Sequence, residues 1–462
     1  MALPKTGLTS FGAFSDLFQY TYADVIIKLL DTVDDVEKWI DSIPQSDWNG
    51  GDSQYYLYKT AEGSGSRFVN GGPGAAAPVL PVYNPPSYDE ASVRLFPHMD
   101  IVEITGPKLI RAHEKPGMYR QIMDELVSDA KNSHRNRIGP KYWGGSQGGT
   151  GGAGTLLPGA AGSVNSSVIG VIPAGQAAVA IGTGVGVRQR ETDTTLTNAK
   201  AYMSTYAGCR YMRAGMQVQI GTSAQLIANG GVNAIIQTVN QAAQTMTLDV
   251  VLPTNAAQMF VVEGDANGNE WGNCVTGLDD AINDIGTYHG IDRATAAPWQ
   301  SFITRNGNVL RDFNHWRITN LLMQMSDLGP KDIDEMNPVI FSHNSLLQVY
   351  LQEIDPVYMQ TDLKALKGHT TIAYQYGARQ IPWETARSAP MNSYTIMDRS
   401  AMKRVKLGDY GWDTSTGSIF KQIPGTFAFQ AYAYNEFELV CENPRSQARE
   451  EDIRVPTGLI ST

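Results

Sequence analysis

The chain has 462 residues, of which 42% are hydrophobic and 18% charged, and its net charge is −10. This length and composition suit two or three folded domains and exclude a disordered chain. The negative charge argues against a dedicated nucleic-acid reader, which normally carries a basic surface, but it leaves room for a protein that encloses nucleic acid without gripping it.

The three cysteines, Cys209, Cys274 and Cys441, stand far apart and lack CxxC spacing. They indicate neither a disulfide framework nor a zinc site, so we expect a reducing compartment. The first residues lack the apolar core of a signal peptide, and no apolar run approaches the ~20 residues of a membrane span. We therefore expect a soluble protein made in a cytoplasm, and we expect no cofactor.

The first predicted element is a helix from Tyr22 to Pro44. Its apolar residues fall on one face at helical spacing and are Val25, Leu29, Val33, Val36, Ile40 and Ile43. An apolar face so close to a terminus must dock on the chain's own core or on another copy.

A long β-ribbon is predicted for residues 46–111. Gln54 to Lys59 forms one strand, and Val93 to Ile110 forms the returning arm, with a Gly- and Pro-rich stretch between them. Arms of about 15–20 residues would reach roughly 50–65 Å. Such a ribbon has too little of its own surface to cover itself, so it must lie across something else.

A long helix is predicted from Glu114 to Gly139, and we call it the spine helix. Met118, Ile122, Leu126 and Ala130 recur every four residues, and Gly139-Pro140 ends the pattern. Acidic residues lie toward its start and basic residues crowd its end, which complements the helix dipole.

A glycine-rich loop follows, and then mostly β sequence. Short strands are predicted within Val168–Val187, and a small inserted β subdomain is predicted for Arg210–Val262. The strands predicted in that subdomain are Met216–Ile220, Ala234–Val239, Thr245–Val250 and Met259–Val262.

The C-terminal half alternates between helices and strands. Thr287 to Ser301 is predicted as an irregular loop, and helices are predicted at Val309–Asp327 and His343–Glu353. The predicted strands are Pro338–Ser342, Thr370–Tyr374, Ser393–Asp398, Ser418–Ile423 and Gly425–Val440.

This order of elements resembles the major capsid proteins of tailed bacteriophages, which share a fold with herpesvirus capsids. The most specific phrases are Tyr288-His-Gly-Ile-Asp-Arg293 with Pro298-Trp299, and Asn443-Pro444-Arg445 in the tail. The resemblance covers nearly the whole chain. It implies an α+β, Hong Kong 97-like capsid fold with an N-terminal arm, an extended E-loop, a long spine helix, a peripheral domain, an axial domain and an inserted small β subdomain.

The resemblance also implies domain limits. These are the arm at 1–45, the E-loop at 46–111, the peripheral domain with the spine helix at 112–209, the β subdomain at 210–262, the peripheral domain again at 263–330, the axial domain at 331–425 and the returning strand with the tail at 426–462. The β subdomain is an addition to the simplest family pattern. No long charged helical region precedes the arm, so we expect a separate scaffolding protein.

The function implied is structural and not enzymatic. Pentamers and hexamers of the chain would form an icosahedral virion shell around double-stranded DNA, held without sequence specificity and assembled in the host cytoplasm. Portal, scaffolding and decoration proteins would be partners. An encapsulin-like nanocompartment that encloses protein cargo is the alternative, although its members are typically shorter and lack such an insertion.

An aromatic ribbon left exposed would be an aggregation hazard, so we predict that it contacts other subunits. The candidate residues are Tyr55, Tyr56, Leu57, Tyr58, Phe68, Val79, Leu80 and Tyr83. The competing interpretation is that the ribbon folds back on its own domain.

The basic end of the spine helix is the candidate genome-facing surface. Its residues are Lys131, His134, Arg135, Arg137 and Lys141. The competing interpretation is ordinary complementation of the helix dipole.

We interpret the other motif matches in the sequence as chance. Gly144 to Gly148 reads G-x-S-x-G, but Ser146 lies in a glycine run with no helix after it, so a hydrolase is a weak third interpretation. Gly182 to Gly186 lacks the spacing of a phosphate loop, and Asp265 to Glu270 lacks that of a calcium loop. The seven histidines show no HxH or HExxH spacing, so no metal site is predicted. Some relatives crosslink subunits through a lysine, and nothing assigns Lys59 that role.

Overall fold

The computed structural model describes part of the chain, and the statements below concern that part. The described residues are 39–40, 42–61, 63–64, 82–106, 133–134, 136–143, 168–172, 174–175, 177–187, 210–240, 243, 245–255, 257, 259–271, 273–306, 310–358, 372–377, 379–408, 410–413 and 421–455.

The first half of the chain is mostly β structure. Its strands are β1 (Gln45–Asp47), β2 (Gln54–Ala61), β3 (Ser87–Val93), β4 (Phe96–Thr105), β5 (Val168–Ile172), β6 (Gly184–Gly186), β7 (Gln217–Gly221), β8 (Val232–Asn240), β9 (Thr245–Leu248), β10 (Met259–Asp265) and β11 (Gly268–Asn269). The described helices are α1 (Ser223–Ile227) and α2 (Leu278–Ala281).

The second half mixes helices and strands. Its strands are β12 (Thr287–Tyr288), β13 (Ile291–Asp292), β14 (Phe302–Thr304), β15 (Pro338–Ser342), β16 (Ile372–Tyr376), β17 (Arg379–Thr385), β18 (Tyr394–Asp398), β19 (Met402–Lys406), β20 (Gly411–Trp412), β21 (Lys421–Gln422), β22 (Ala428–Cys441) and β23 (Ala448–Glu450). Helices α3 (His315–Leu328) and α4 (Asn344–Tyr358) lie between them.

The strand β22, 14 residues long, organises a six-stranded sheet that we call the long-strand sheet. On one side β22 pairs antiparallel with β19, β20 and β21, and on the other with β4 along ten registered pairs, from Ala428 with Thr105 to Phe437 with Phe96. β1 extends the sheet parallel to β19. The strand predicted at 425–440 is confirmed.

The β-subdomain sheet has the order β11-β10-β7-β8-β9-β6, with β5 also paired to β10. All four strands predicted within residues 210–262 are present, shifted by one or a few residues. The sheet also includes β5 and β6, which precede the predicted range. Its core is built from alternating side chains such as Val218, Ile220, Ile236 and Met246.

A third sheet, the central sheet, has the order β14-β23-β18-β15-β17-β16. β15 lies inside it, and all five of its residues are buried, as a continuous apolar run predicts. Helix α3 buries Ile318, Leu321, Leu322 and Met325, which recur at helical spacing. It begins later than predicted because Asn314 is the N-cap, with its side chain accepting a hydrogen bond from the backbone N–H of Trp316 at 2.9 Å.

The observed β2–β3 ribbon differs in part from the long β-ribbon predicted for residues 46–111. β2 pairs antiparallel with β3, so the returning strand is Ser87–Val93 and not Val93–Ile110. β4 turns away from the ribbon and joins β22 in the long-strand sheet. A bridge between Ser64 and Asn84 continues the ribbon beyond the two strands. From Gln54 to Ser64 the ribbon is about 33 Å long.

The two predicted N-terminal helices are described only at their ends. Residues 39, 40 and 42 are helical, and Trp39, Ile40 and Ile43 are buried in the chain's own core. The described residues 133, 134 and 136–141 are helical, so the spine helix runs two residues past the predicted stop at Gly139. The rest of the two helices, residues 22–38 and 114–132, lies outside the described residues, as does the glycine-rich loop.

The loop that carries the family-like phrase is built into the core. The Tyr288 hydroxyl accepts a hydrogen bond from the Cys441 N–H at 2.9 Å, which ties the loop to β22. The Trp299 indole donates to the Tyr288 carbonyl at 3.3 Å. Burial lowers the pKa of His289 to about 4, and Asp292 accepts from the Ala294 N–H at 3.0 Å. The Asp292 side chain thus helps to fix the loop.

Arg293 is the fully buried cation of this loop. Its guanidinium donates to the carbonyls of Trp299 and Ile285 at 3.3 and 3.1 Å and lies 3.4 Å from the Asp280 carboxylate. Burial raises the pKa of Asp280, and the Arg293 charge opposes that shift. Arginine suits this position because its planar fork presents several donors at once.

Replacing Arg293 is expected to destabilise the subunit strongly. Arg293→Met removes the charge that compensates Asp280 and leaves carbonyls without donors, so we expect a loss of about 3–5 kcal/mol in the free energy of unfolding. Urea denaturation of the unassembled subunit measures it. The control is Arg454→Met, because Arg454 and Asp312 form an ion pair that is 57% and 83% exposed. We expect that change to cost under about 1 kcal/mol. Similar losses in both variants would contradict the role given to Arg293.

Candidate assembly surface

The inner side of the β2–β3 ribbon packs on the chain's own core. Tyr56 and Tyr58 alternate along β2 and contact the cluster that contains Trp299 and Phe437. The Tyr58 and Trp299 rings pack edge to face, with their centroids 4.0 Å apart. Burial raises the pKa of Tyr58. Two of the predicted contact residues therefore follow the competing interpretation and fold back on their own domain.

The outer side of the same ribbon is uncovered. Tyr55 is 65% exposed and Leu57 is 72% exposed, and Tyr88 of the facing strand is 60% exposed. The register places Leu57 opposite Glu90 and Lys59 opposite Tyr88, so these side chains share one face. Tyr83, 68% exposed, continues the surface beyond the strands. Phe68, Val79 and Leu80 lie outside the described residues.

The long-strand sheet carries a second uncovered apolar face. Met99 and Ile101 of β4 are 62% and 63% exposed. Their register partners in β22 are Tyr434 and Tyr432, and registered partners point to the same side of a sheet. Met99 and Ile101 were missed because a pattern that is apolar on both faces lacks the clean alternation of a half-buried strand.

These two faces and the residues beside them hold many of the exposed large apolar side chains. Of the sixteen in the described residues, six lie on strands of the ribbon or of this sheet: Tyr55, Leu57, Tyr88, Met99, Ile101 and Tyr434. Val82, Tyr83, Leu407 and Phe427 lie close to the ends of those strands. Scattered apolar residues need no explanation, but such a concentration is typical of a surface that contacts another protein. We call the two faces together the assembly surface.

The predicted genome-facing surface is wrong at Lys141. This side chain is 2% exposed and forms ion pairs with Glu270 at 2.6 Å and Glu263 at 3.4 Å. Burial alone would lower the pKa of Lys141, but the two carboxylates outweigh it, and the pKa is raised. Lys141 therefore joins the end of the spine helix to the β-subdomain sheet and does not face a nucleic acid.

The prediction is also wrong at His134, whose side chain is 1% exposed. Its Nδ1 lies 3.0 Å from the Asp100 carboxylate and 2.9 Å from Nδ1 of His98. Of the five basic candidates, Arg137 alone is described as exposed. It lines a cavity of about 190 Å³ together with Tyr211 and Arg213. Lys131 and Arg135 lie outside the described residues.

The weaker motifs resolve as structural turns where they are described. Asp265 accepts hydrogen bonds from the backbone N–H groups of Asn267 and Gly268 at 2.7 and 3.2 Å, which makes the calcium-like stretch a tight polar turn. Gly182 has a positive φ of 73° in a turn, and within the described residues 177–187 it is followed by the strand β6 and not by the helix that a phosphate loop requires. Ser146 lies outside the described residues. No helix among the described residues is long and apolar enough to cross a membrane.

Comparisons with known proteins find similarity to solved structures only. No family model and no curated protein matches the chain. A chain of the cyanophage A-1(L) capsid asymmetric unit is 12% identical, with 94% of this chain and 98% of that chain covered and a TM-score of 0.48. A chain of the capsid of the Myoviridae phage XM1 is 10% identical, with 95% of this chain and 98% of that chain covered and a TM-score of 0.38.

A non-phage structure also matches. The holo-SrpI encapsulin complex of Synechococcus elongatus is 7% identical, with 98% of this chain and 96% of that chain covered and a TM-score of 0.35. Because these identities and scores are low, the matches say nothing about what this chain binds or encloses. The residues of this chain must supply that argument.

Lys141 provides a test of the buried ion cluster. Lys141→Met leaves the buried Glu263 carboxylate and the partly exposed Glu270 carboxylate without their cation, so we expect a loss of about 3–5 kcal/mol in the free energy of unfolding. Burial raises the pKa of Glu270, so the folded variant binds a proton that the unfolded chain releases. The loss should therefore be larger at about pH 8 than at about pH 5.

The matched control is Lys403→Met, because Lys403 and Glu442 form a half-exposed pair. We expect a change under about 1 kcal/mol with little dependence on pH. Adding Glu270→Gln to Lys141→Met should recover part of the loss. A Lys141→Met subunit as stable as the wild type at every pH would refute the buried pairing.

Proposed function

We propose that this chain is the major capsid protein of a tailed bacteriophage. In this proposal its copies assemble as pentamers and hexamers into an icosahedral shell around double-stranded DNA. The observation that carries the proposal is the uncovered outer side of the β2–β3 ribbon, where Tyr55, Leu57 and Tyr88 share one exposed face. The order of elements and the loop phrase described above support it.

The partner of that face is another copy of the chain. The inner side of the ribbon is anchored by Tyr58 against Trp299, so the ribbon holds a fixed base while its outer side points away from its own core. A face that meets a different patch on the next copy gives a head-to-tail contact, and such contacts close into rings. Rings of five and six from one sequence need a contact that tolerates small changes of angle, and a two-stranded ribbon can bend.

The charge of the chain fits a container better than a binder of DNA. Each phosphate that a basic lining neutralises adds affinity, which would oppose packaging and release. The chain is acidic, and two of the five candidate genome-facing residues, His134 and Lys141, are buried against carboxylates. We propose that DNA is held by enclosure, with scaffolding, portal and decoration proteins as further partners.

The domain limits belong to the same proposal. The arm, E-loop, peripheral domain, β subdomain and axial domain keep the limits given in the sequence analysis. One adjustment follows from the sheet: β5 and β6 pair with β10 and β9, so we assign residues 168–187 to the β subdomain as well.

Leu57→Glu tests the ribbon contact. A charge at the centre of a buried apolar contact should weaken it by roughly 2 kcal/mol per copy, and a shell repeats that loss at every interface. We expect no closed shells by electron microscopy or sedimentation, with a free energy of unfolding of the subunit within about 0.5 kcal/mol of wild type.

The control is Ile227→Glu. Ile227 is 65% exposed on α1 of the β subdomain, away from the assembly surface, and we expect shells to form. If Leu57→Glu subunits fold and assemble like the wild type, the ribbon does not make the contact that we propose.

The contents of native particles test the function itself. We expect shells that contain nuclease-protected double-stranded DNA, detected on the same sample that is imaged. Shells with protein cargo and no DNA would favour the nanocompartment alternative. Small oligomers under all assembly conditions would overturn both, and the Ser146 hydrolase interpretation would then be tested with Ser146→Ala.

A further inference from the structure

Three side chains with metal-binding atoms converge where the end of the spine helix crosses β4. His98 and Asp100 are alternate residues of β4 and so point to one face of the sheet. His134 approaches that face from the helix. Nδ1 of His134, Nδ1 of His98 and Oδ2 of Asp100 lie 2.9, 3.0 and 3.7 Å apart in pairs.

Protons alone satisfy this arrangement poorly. If Nδ1 of His134 carries a proton and donates it to Asp100, it has no lone pair to accept from His98. If His98 donates to His134 instead, the Asp100 oxygen faces a lone pair at 3.0 Å. The Tyr410 hydroxyl donates to that same oxygen at 3.1 Å. This bond gives the Asp100 oxygen a donor, but it leaves the short contact between that oxygen and Nδ1 of His134 without a proton.

Further polar groups nearby are also buried without partners among the described residues. They are Nε2 of His134 and both side-chain amide atoms of Asn435. Asn435 is 2% exposed and is the register partner of His98 in β22, so it points to the same face. Buried groups of this kind normally indicate a bound water or ion.

We propose that His98, Asp100 and His134 bind a divalent transition-metal ion, with zinc as the best chemical match. The circle through the three atoms has a radius of about 1.9 Å, so an ion slightly out of their plane lies at the 2.0–2.2 Å of Zn–N and Zn–O bonds. Imidazole with one carboxylate suits zinc, and calcium or magnesium would need a set of oxygens. The fourth position is open to water.

The ion would fasten the spine helix to β4. β4 follows directly after the β2–β3 ribbon and is the edge of the long-strand sheet in the described part of the chain. The site thus lies at the base of the assembly surface, buried on the inner face opposite Met99 and Ile101. Its existence does not depend on the proposed function.

The test is zinc binding by the full-length subunit after treatment with a chelator. We expect one zinc per chain by metal analysis after re-addition and gel filtration. X-ray absorption at the zinc edge should show nitrogen and oxygen ligands with the scattering pattern of two imidazoles. A wild-type chain that binds no zinc, or binds it without imidazole, overturns the proposal whether or not any variant folds.

Variants locate the site. His98→Gln and Asp100→Asn should each weaken zinc binding by more than about a hundredfold, since the loss of a direct ligand exceeds the effect of losing a group that only orients one. The control is His315→Gln, because His315 is a partly exposed histidine paired with Glu353, and it should bind like the wild type. Unchanged binding in folded His98→Gln and Asp100→Asn, or equal loss in His315→Gln, overturns the assignment.

Discussion

Burial of β22 is the interaction on which the rest of the structure depends. Its side chains Phe437, Leu439 and Cys441 lie at the centre of the cluster that also receives the N-terminal segment, the end of the spine helix and the loop at Tyr288. A strand paired on both sides has no free edge along most of its length, so its backbone groups are satisfied within the sheet. The other strands of the long-strand sheet, and the segments that pack into this cluster, are placed by where they attach to this strand.

The polar groups on β22 make that attachment specific. Glu438 is buried, and burial raises its pKa well above the usual value, while its carboxylate accepts hydrogen bonds from the N–H groups of Thr276 and Leu439. The Tyr288 hydroxyl accepts from the N–H of Cys441. Because hydrogen bonds require aligned donors and acceptors, they fix the position of neighbouring segments that apolar contacts alone would leave free to slide. The uncovered ribbon therefore projects from a rigid base.

Sequence reasoning succeeded where one local pattern decides the outcome. The run Pro338–Phe341 is apolar and became most of an interior strand, and the aromatic run within Gln54–Lys59 became β2. It failed where a partner is distant along the chain. Lys141 looks like an ordinary cation at a helix end, but its carboxylates lie 122 and 129 residues away. β17 was not predicted; its Pro382 lies outside the three residues registered with β15 and opposite Ala373 of β16.

The same limit explains why the spine helix was assigned the wrong role at its end. His134 and Lys141 are seven residues apart, which is two helical turns, so they lie on nearly the same face. One meets Asp100 of β4 and the other meets Glu263 of β10. This face therefore joins two sheets through a hydrogen bond and an ion pair, and two of the residues that look like a lining for DNA are occupied within their own subunit. The exposed apolar side chains of the ribbon, more than these two residues, are therefore available to other copies.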